Sequence, residues 1–294
     1  MNQLETAPEP NVNFAGLKAP FSNFDTAQVV ILPLPYDVTS EWHRGSMFGP
    51  QAIIEASEYL EMYDQELDIE IFNVGIHTYP TLQISNDTTE IMIDKVYQTA
   101  CKLIKQSKFV ISLGGEHTVS IGLVKAFKDS FHNISVLHLD AHTDLRDEYC
   151  GTKFGQATVI RRVMEFCPVV QAGVRSLSKE EKDFINTGNL HPYFISENND
   201  YRLPINDIVN SLNNNVYITV DLDVFDPSIM SAVGLPEPNG LSWNDVTGLL
   251  KTVISRRNVI GIDFVELCPE AGPSACAFLT AKLVYKIIGY QFSK

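Results

Sequence analysis

The stretch Ile134-Ser-Val-Leu-His-Leu-Asp-Ala-His-Thr-Asp144 is an apolar run that ends in alternating acidic and imidazole side chains. Because alternate residues of a strand point to the same face, Asp140, His142 and Asp144 start on one side of the backbone. Three ionisable groups on one face of a buried strand are costly unless a cation neutralises them. The stretch therefore predicts a divalent metal site. Taken alone, it also allows a solvated loop followed by a helix cap.

Apolar runs of strand length recur on both sides of this stretch and alternate with segments of helical periodicity. Continuous apolar strands between helices are typical of a parallel sheet that is covered on both faces. We therefore predict an α/β fold, with residues 1–26 as an N-terminal arm and 27–294 as a single domain. The predicted strands are 29–35, 69–76, 109–113, 134–139, 169–174, 192–195, 216–220 and 259–265. One predicted helix begins at Pro50, and four others cover 91–104, 156–166, 242–254 and 275–288.

The composition excludes several classes of partner. A net charge of −14 disfavours nucleic acid and anionic membranes. No apolar run reaches the length of a membrane span, and the N-terminus lacks the pattern of a signal peptide. The five cysteines are odd in number and scattered, which favours reduced thiols and a cytoplasmic location.

Three further clusters of polar residues follow other predicted strands. Gly114-Gly-Glu-His117 follows the third strand, Asp221-Leu-Asp223 follows the seventh, and Glu266 follows the eighth. In open parallel sheets, ligands bind beyond the carboxyl ends of the strands. These clusters and the 140–144 segment are therefore expected to converge on one edge of the sheet.

The donor types in these clusters predict the metal. Two aspartates as close as Asp221 and Asp223 raise one another's pKa unless a cation lies between them, whereas Asp226-Pro227 is explained by a turn. Two glycines before His117 are expected to allow a tight turn that brings the imidazole inward. A carboxylate-rich set with some nitrogen suits Mn²⁺ or Mg²⁺ better than structural zinc. Six ligands suit two ions, and such a pair can hold a bridging hydroxide as a nucleophile. The predicted ligands are His117, Asp140, His142, Asp144, Asp221 and Asp223.

Together, these motifs resemble the signature motifs of the ureohydrolase superfamily of arginases and agmatinases. The resemblance covers residues from about 30 to 285, and Pro236-Glu-Pro-Asn-Gly240 is more similar to agmatinases than to arginases. The main motifs are Gly114-Gly-Glu-His117, Asp140-Ala-His-Thr-Asp144 and Asp221-Leu-Asp223-Val-Phe-Asp-Pro227; the supporting ones are Arg44-Gly-Ser46, Phe48-Gly-Pro50, Gly173-Val-Arg175, Gly234-Leu-Pro-Glu-Pro238 and Asp263-Phe-Val-Glu266.

The resemblance implies a three-layer α/β/α fold around a mostly parallel sheet of eight strands, and two Mn²⁺ ions per chain. The ligands implied for the first ion are His117, Asp140, Asp144 and Asp221; for the second they are His142, Asp140, Asp221 and Asp223. Asp144 would also orient the attacking hydroxide, and Glu266 would bind the substrate guanidinium. Homotrimers or homohexamers are implied as well.

The implied reaction is the hydrolysis of agmatine to putrescine and urea. A small cationic guanidino compound is thus the expected partner. Another guanidino or formimino compound remains an alternative, such as arginine, guanidinobutyrate or guanidinopropionate. A basic or amide-rich pocket wall would favour a carboxylate-bearing tail.

One departure from the resemblance lies at Gln156, which stands where relatives usually carry a histidine. Glutamine can hydrogen-bond a substrate but cannot donate a proton near neutral pH. Loss of a general acid typically costs about 10²–10⁴-fold in rate. Gln156 therefore leaves three alternatives open: the protein catalyses slowly, it acts on a different substrate, or it binds metal without hydrolytic activity. A second departure is Ser231-Ala-Val-Gly234. Of the other histidines, His138 is predicted to be a satisfied core residue.

Overall fold

A parallel sheet of eight strands forms the centre of the protein in the computed structural model, which describes residues 12–40, 42–195 and 203–293. All of its neighbouring strands pair in parallel, in the order β4-β1-β5-β10-β9-β6-β7-β8. Strands β2 and β3 form a separate antiparallel hairpin. The strands are β1 Val29–Leu34, β2 Tyr63–Asp64, β3 Ile69–Glu70, β4 Ile76–Thr78, β5 Phe109–Gly114, β6 Ile134–Leu139, β7 Val169–Val174, β8 Tyr193–Phe194, β9 Asn215–Asp221 and β10 Asn258–Val265.

Helices cover both faces of this sheet. One apolar core joins the sheet to α1, α6, α7 and α8, and a second joins the opposite face to α2, α3 and α4. Strand β1 shows the division, because Val29 and Ile31 lie in the first core while Val30 and Leu32 lie in the second. The predicted three-layer α/β/α fold is thereby confirmed. The helices are α1 Gly49–Ser57, α2 Thr89–Lys105, α3 Val119–Ser130, α4 Val159–Val163, α5 Lys179–Thr187, α6 Ile205–Ser211, α7 Trp243–Arg256 and α8 Ala275–Phe292.

The prediction of one strand over 69–76 is wrong. Residues Ile69–Glu70 pair with β2, Ile71–Val74 form a 3₁₀ helix, and only Ile76–Thr78 joins the large sheet. Helices α3, α5 and α6 were not predicted. Helix α3 lacks a clear polar face because eight of its residues are buried, so its periodicity is hidden in the sequence.

The described part of the predicted arm lies along β4. Asn13 accepts a hydrogen bond from the Thr78 backbone N–H at 2.7 Å and donates one to the Ile76 carbonyl at 2.9 Å. Phe14 is fully buried in the core beside it. Residues 1–11 lie outside the described part, and the division into arm and domain stays a prediction. Among the described residues, no helix combines the length and apolarity needed to cross a membrane.

The strand order places β5, β10, β9 and β6 side by side in the middle of the sheet. All four are parallel, so their carboxyl ends lie at the same edge. These are the strands that precede the four polar clusters. The order therefore brings together segments that are more than 100 residues apart in the chain.

Candidate metal centre

The predicted ligands meet at the carboxyl edge of the four central strands. Asp140 directly follows β6, and Asp221 is the last residue of β9. Asp223 lies in the 3₁₀ turn Leu222–Val224, and His117 lies three residues beyond β5. Each cluster thus leaves the sheet just where its strand stops pairing.

His117 stands at the centre of a first group of donors. Its Nδ1 lies 3.2 Å from Asp140 Oδ2, 3.3 Å from Asp144 Oδ2 and 3.4 Å from Asp221 Oδ2. All four side chains are buried. Within the described residues, His117 Nδ1 has no hydrogen-bond partner. A buried ring nitrogen that faces three carboxylate oxygens without a hydrogen bond fits a metal ion, which would bind all four groups.

His142 forms a second group beside the first. Its Nδ1 lies 2.8 Å from Asp223 Oδ2 and 3.4 Å from Asp140 Oδ1. Asp140 belongs to both groups, with one oxygen directed to each histidine. The six predicted ligands are therefore brought together as two overlapping sets of donors.

Backbone N–H groups hold the carboxylates in these positions. Asp221 Oδ1 accepts from the N–H of Asp223 at 2.9 Å, and Asp223 Oδ1 accepts from that of Ala141 at 3.0 Å. In both residues the other oxygen, Oδ2, is the one near a histidine. The ligands are thus oriented by the protein itself.

The pKa values reflect the excess of carboxylates over imidazoles. Burial raises the pKa of Asp144 to about 6, helped by the charge of Asp140. Burial and the neighbouring carboxylates also raise the pKa of Asp221 well above its usual range. For His142, burial lowers the pKa, but Asp223 and Asp140 outweigh it and raise the value to about 12. Burial also lowers the pKa of His117, but the carboxylates of Asp140, Asp144 and Asp221 around it outweigh burial and raise the value well above its usual range. The cluster therefore attracts positive charge, as protons or as metal ions.

His138 is buried and satisfied, as predicted, but it also contacts the centre. Gln171 Nε2 donates to His138 Nδ1 at 3.0 Å, so Nε2 carries the ring proton and donates to Asp140 Oδ2 at 2.8 Å. Both nitrogens are thus engaged, which makes His138 a partner of the predicted ligand Asp140. This contact was not predicted from the sequence. The available signal was the alternation of His138 with Asp140, which places both side chains on one face of β6.

Glu266 borders the same cluster from the end of β10. Its Oε1 accepts from the His117 backbone N–H at 2.7 Å, and its own N–H donates to the Gly115 carbonyl at 2.7 Å. Burial and the nearby charge of Glu116 raise the pKa of Glu266 well above its usual range. Its φ is +68° and that of Asp144 is +53°, a backbone region that non-glycine residues rarely adopt. Such strain is concentrated at functional sites, where the surrounding structure enforces it.

The two glycines before His117 serve close packing rather than the predicted tight turn. Neither has a positive φ. A Cβ on Gly115 would lie 2.1 Å from the Tyr36 carbonyl oxygen, and one on Gly114 would lie 2.7 Å from side-chain carbons of Val119 and Val265. Only residues without a side chain let β5 pass this close to its neighbours.

A cavity of about 260 Å³ opens onto the cluster. Acidic and imidazole groups of the centre line it together with Glu266, and Gln156 is a further lining residue. The Gln156 N–H donates to Thr39 Oγ1 at 3.3 Å. The lining residues that lie outside the cluster are Ser40, Trp42, His43, Arg146, Tyr149, Gln156, Ala157, Ser176, Leu177, Ser178, Glu181, Gly234 and Leu235.

A parallel sheet covered on both faces, with a His/Asp centre at its carboxyl edge and a cavity above it, defines an α/β protein with a metal-binding site. Comparison with known proteins makes the assignment specific. The arginase family model matches residues 27–289, so the chain belongs to the arginase family. The family assignment confirms the prediction of a ureohydrolase, a hydrolase that acts on amidino compounds.

Three relatives illustrate this membership. An N(1)-aminopropylagmatine ureohydrolase of Synechocystis is 35% identical over 277 residues, which cover 92% of this chain and 90% of the relative. An agmatinase of Bacillus anthracis is 32% identical over 84% of this chain and 86% of its own length. The crystal structure of the agmatine ureohydrolase of Thermoplasma volcanium superposes with a TM-score of 0.84 at 29% identity and covers 92% of both chains.

Proposed function

We propose that this protein is a two-metal ureohydrolase that cleaves agmatine to putrescine and urea. The observation that carries the proposal is the unpartnered Nδ1 of His117 among three buried carboxylates, with the carboxylate of Glu266 beside it. That arrangement combines donors for metal ions with an acceptor for a guanidinium group.

The six donors are assigned as ligands. His117, Asp140, Asp144 and Asp221 would hold one ion, and His142, Asp140, Asp221 and Asp223 the other. When bound, two such ions supply a water-derived nucleophile at neutral pH and positive charge that stabilises the transition state. Manganese is the proposed metal, because the set is rich in carboxylates and includes nitrogen.

Glu266 positions the substrate. Its Oε1 is occupied by the His117 N–H, so Oε2 remains to accept charge-assisted hydrogen bonds from the guanidinium. Asp144 lies at the cavity floor and orients the attacking nucleophile towards the guanidinium carbon. The bond from that carbon to the tail nitrogen then breaks, and urea and a protonated amine leave.

Gln156 completes the site without acting as an acid. Its side chain lies in the cavity wall, where an amide can both accept and donate hydrogen bonds to the substrate. Proton delivery to the leaving amine then falls to water or to a carboxyl group of the centre. Under this proposal the protein is catalytically active although Gln156 replaces the usual histidine.

N(1)-aminopropylagmatine is the second candidate substrate. The Synechocystis relative carries that activity in its name and is slightly more similar to this chain than the agmatinase of Bacillus anthracis. The aminopropyl arm lengthens the tail and leaves the guanidino group unchanged. Both substrates would therefore use the same metal ligands and Glu266, and only the outer cavity distinguishes them.

The test is a urea-release assay with the purified, Mn²⁺-loaded protein. The panel contains agmatine, N(1)-aminopropylagmatine, arginine, guanidinobutyrate and guanidinopropionate. The three carboxylate-bearing compounds are included because Arg146 lines the cavity, with its guanidinium 4.5 Å from the centre of the Tyr149 ring. Urea from either agmatine compound supports the proposal. Metal uptake without urea from any compound would leave only the reading of a non-hydrolytic metal-binding protein.

Three further parts of the proposal have separate measurements. Metal analysis of protein purified without added metal identifies the ion, and light scattering tests for a trimer or hexamer. The cytoplasmic location is proposed from the odd number and scattered positions of the five cysteines. Fractionation of the source cells tests that location.

A further inference from the structure

A chain of buried hydrogen bonds lies directly behind His117, on the side away from the cavity. His117 Nε2 is 2.8 Å from Thr219 Oγ1, which in turn is 2.6 Å from Asp263 Oδ1. The other oxygen of Asp263 accepts from the Tyr217 hydroxyl at 2.7 Å. These four side chains are at most 1% exposed. Thr219 and Asp263 are direct register partners on β9 and β10, so the sheet itself fixes their contact.

The direction of each hydrogen bond follows from the groups involved. The hydroxyls of Tyr217 and Thr219 both donate to Asp263, one to each carboxylate oxygen. Thr219 Oγ1 has then spent its single hydrogen and can only accept from His117. His117 Nε2 must therefore carry a proton, so that in the neutral ring Nδ1 is the nitrogen with a free lone pair.

This order matters because Nδ1 faces the three carboxylates of the first donor group. If the proton of a neutral His117 lay on Nδ1, the ring would hydrogen-bond the carboxylates and could not bind a metal there. We propose that Asp263, acting through Thr219, is a positioning residue that keeps the proton on Nε2 and so presents Nδ1 of His117 to the first metal ion. The inference rests on the metal centre proposed above and adds to it a means of selecting the metal-competent tautomer.

The proposal distinguishes two otherwise similar substitutions at residue 219. Thr219→Val keeps the shape of the side chain and removes the hydroxyl, whereas Thr219→Ser keeps the hydroxyl and loses only a methyl group. Outer partners of metal-ligating histidines typically contribute about 10–100-fold to metal affinity. We expect Thr219→Val to lower the affinity for the first ion by that factor. Thr219→Ser should keep an affinity within about threefold of the wild type.

Asp263→Asn reverses the chain by a different route. The amide can donate to Thr219 Oγ1, and the Thr219 hydroxyl is then free to donate to His117 Nε2. We expect the proton to lie on Nδ1 and the affinity for the first ion to fall, in a protein of almost unchanged shape. This variant also provides a test if Thr219→Val fails to fold.

The experiment measures metal binding without substrate. Chelator competition with Mn²⁺ gives the two dissociation constants of the wild type and of each variant, and circular dichroism confirms folding. In protein loaded with diamagnetic Mg²⁺, ¹⁵N shifts of the His117 ring report which nitrogen carries the proton. The proposal is supported if Thr219→Val and Asp263→Asn bind one ion more weakly and the other as tightly as the wild type does. Thr219→Ser should bind both ions with nearly wild-type affinity.

Two other outcomes distinguish a failure of the Asp263 inference from a failure of the metal centre. Two tightly bound ions with unchanged constants in Thr219→Val and Asp263→Asn would overturn this inference and leave the proposed function intact. A wild-type protein that binds no divalent ion would remove the metal centre itself and, with it, both proposals.

Discussion

Loading of the metal centre should release protons, and the number released can be worked out from the structure. The pKa of His142 is raised to about 12 by the charges of Asp223 and Asp140, and that of His117 is also raised well above its usual range. The ring of His142 is therefore protonated at pH 8 in the metal-free protein. A ligating imidazole must be neutral at the binding nitrogen, so the ion bound by His142 displaces that proton.

The size of the effect follows from the distance between the pKa and the working pH. For His142, about 12 less 8 leaves roughly four units, and one unit corresponds to about 1.36 kcal/mol. Proton competition at pH 8 thus lowers the affinity of its ion on the order of 10⁴-fold, or about 5 kcal/mol. Between pH 6.5 and 9 the affinity for this ion should rise about tenfold per pH unit. Below about pH 6 the dependence steepens, because Asp144 takes up a further proton.

Isothermal titration calorimetry in two buffers of different ionisation enthalpy counts the protons directly. We expect that Mn²⁺ loading at pH 8 releases about one proton more in the wild type than in His142→Asn, whose amide cannot be protonated in this range. Affinities that are independent of pH, with no buffer-dependent heat, would refute the reasoning. They would show that the imidazole of His142 is already neutral in the metal-free cluster.

Three further substitutions give distinct expectations. Gln156→His supplies a group able to donate a proton near neutral pH, so steady-state kinetics should show a higher kcat, by up to about 10²-fold; an unchanged kcat means that no proton passes through this position. Glu266→Gln loses a charge-assisted hydrogen bond to the guanidinium, worth about 1.5–3 kcal/mol, so kcat/KM should fall roughly 10- to 150-fold. Gly261→Ala places a Cβ 2.4 Å from Cζ of Phe127 on α3, and urea denaturation should show a loss of about 1–3 kcal/mol from overpacking.

Controls for these substitutions come from the same chain. Burial raises the pKa of Glu266, so its charge opposes folding above the pKa of the unfolded chain, and Glu266→Gln should not lower the melting temperature at pH 8. A lower melting temperature would mean that the kinetic loss is structural. Gly248→Ala, in helix α7 and with only Ile205 Cδ1 near its new Cβ at 3.9 Å, should instead stabilise by about 0.5–1 kcal/mol. Equal losses at both glycines would contradict the packing argument.

The sequence alone determined the strands that carry the site and the ligands at their ends. Runs such as 134–139 and 259–265 are buried on both faces and are therefore largely apolar. Such a run can be identified as a strand from the local sequence, without knowledge of its neighbours in the sheet. The alternation of Asp140, His142 and Asp144 is a local pattern as well. Because carboxyl ends of parallel strands share one edge, the convergence of distant motifs followed from the fold class.

The tertiary structure alone decided how those residues are supported. Strands β5 and β6 are consecutive helix-linked strands, but β10 and β9 lie between them, and no local pattern specifies that order. The partnerships of His138 with Gln171 and of Thr219 with Asp263 arise from register between strands distant in sequence. Burial likewise obscured helix α3, because eight of its twelve residues are buried and few polar positions remain to mark its period. Local periodicity records which faces are buried, whereas contacts across the sheet depend on strand order and register, which are properties of the whole chain.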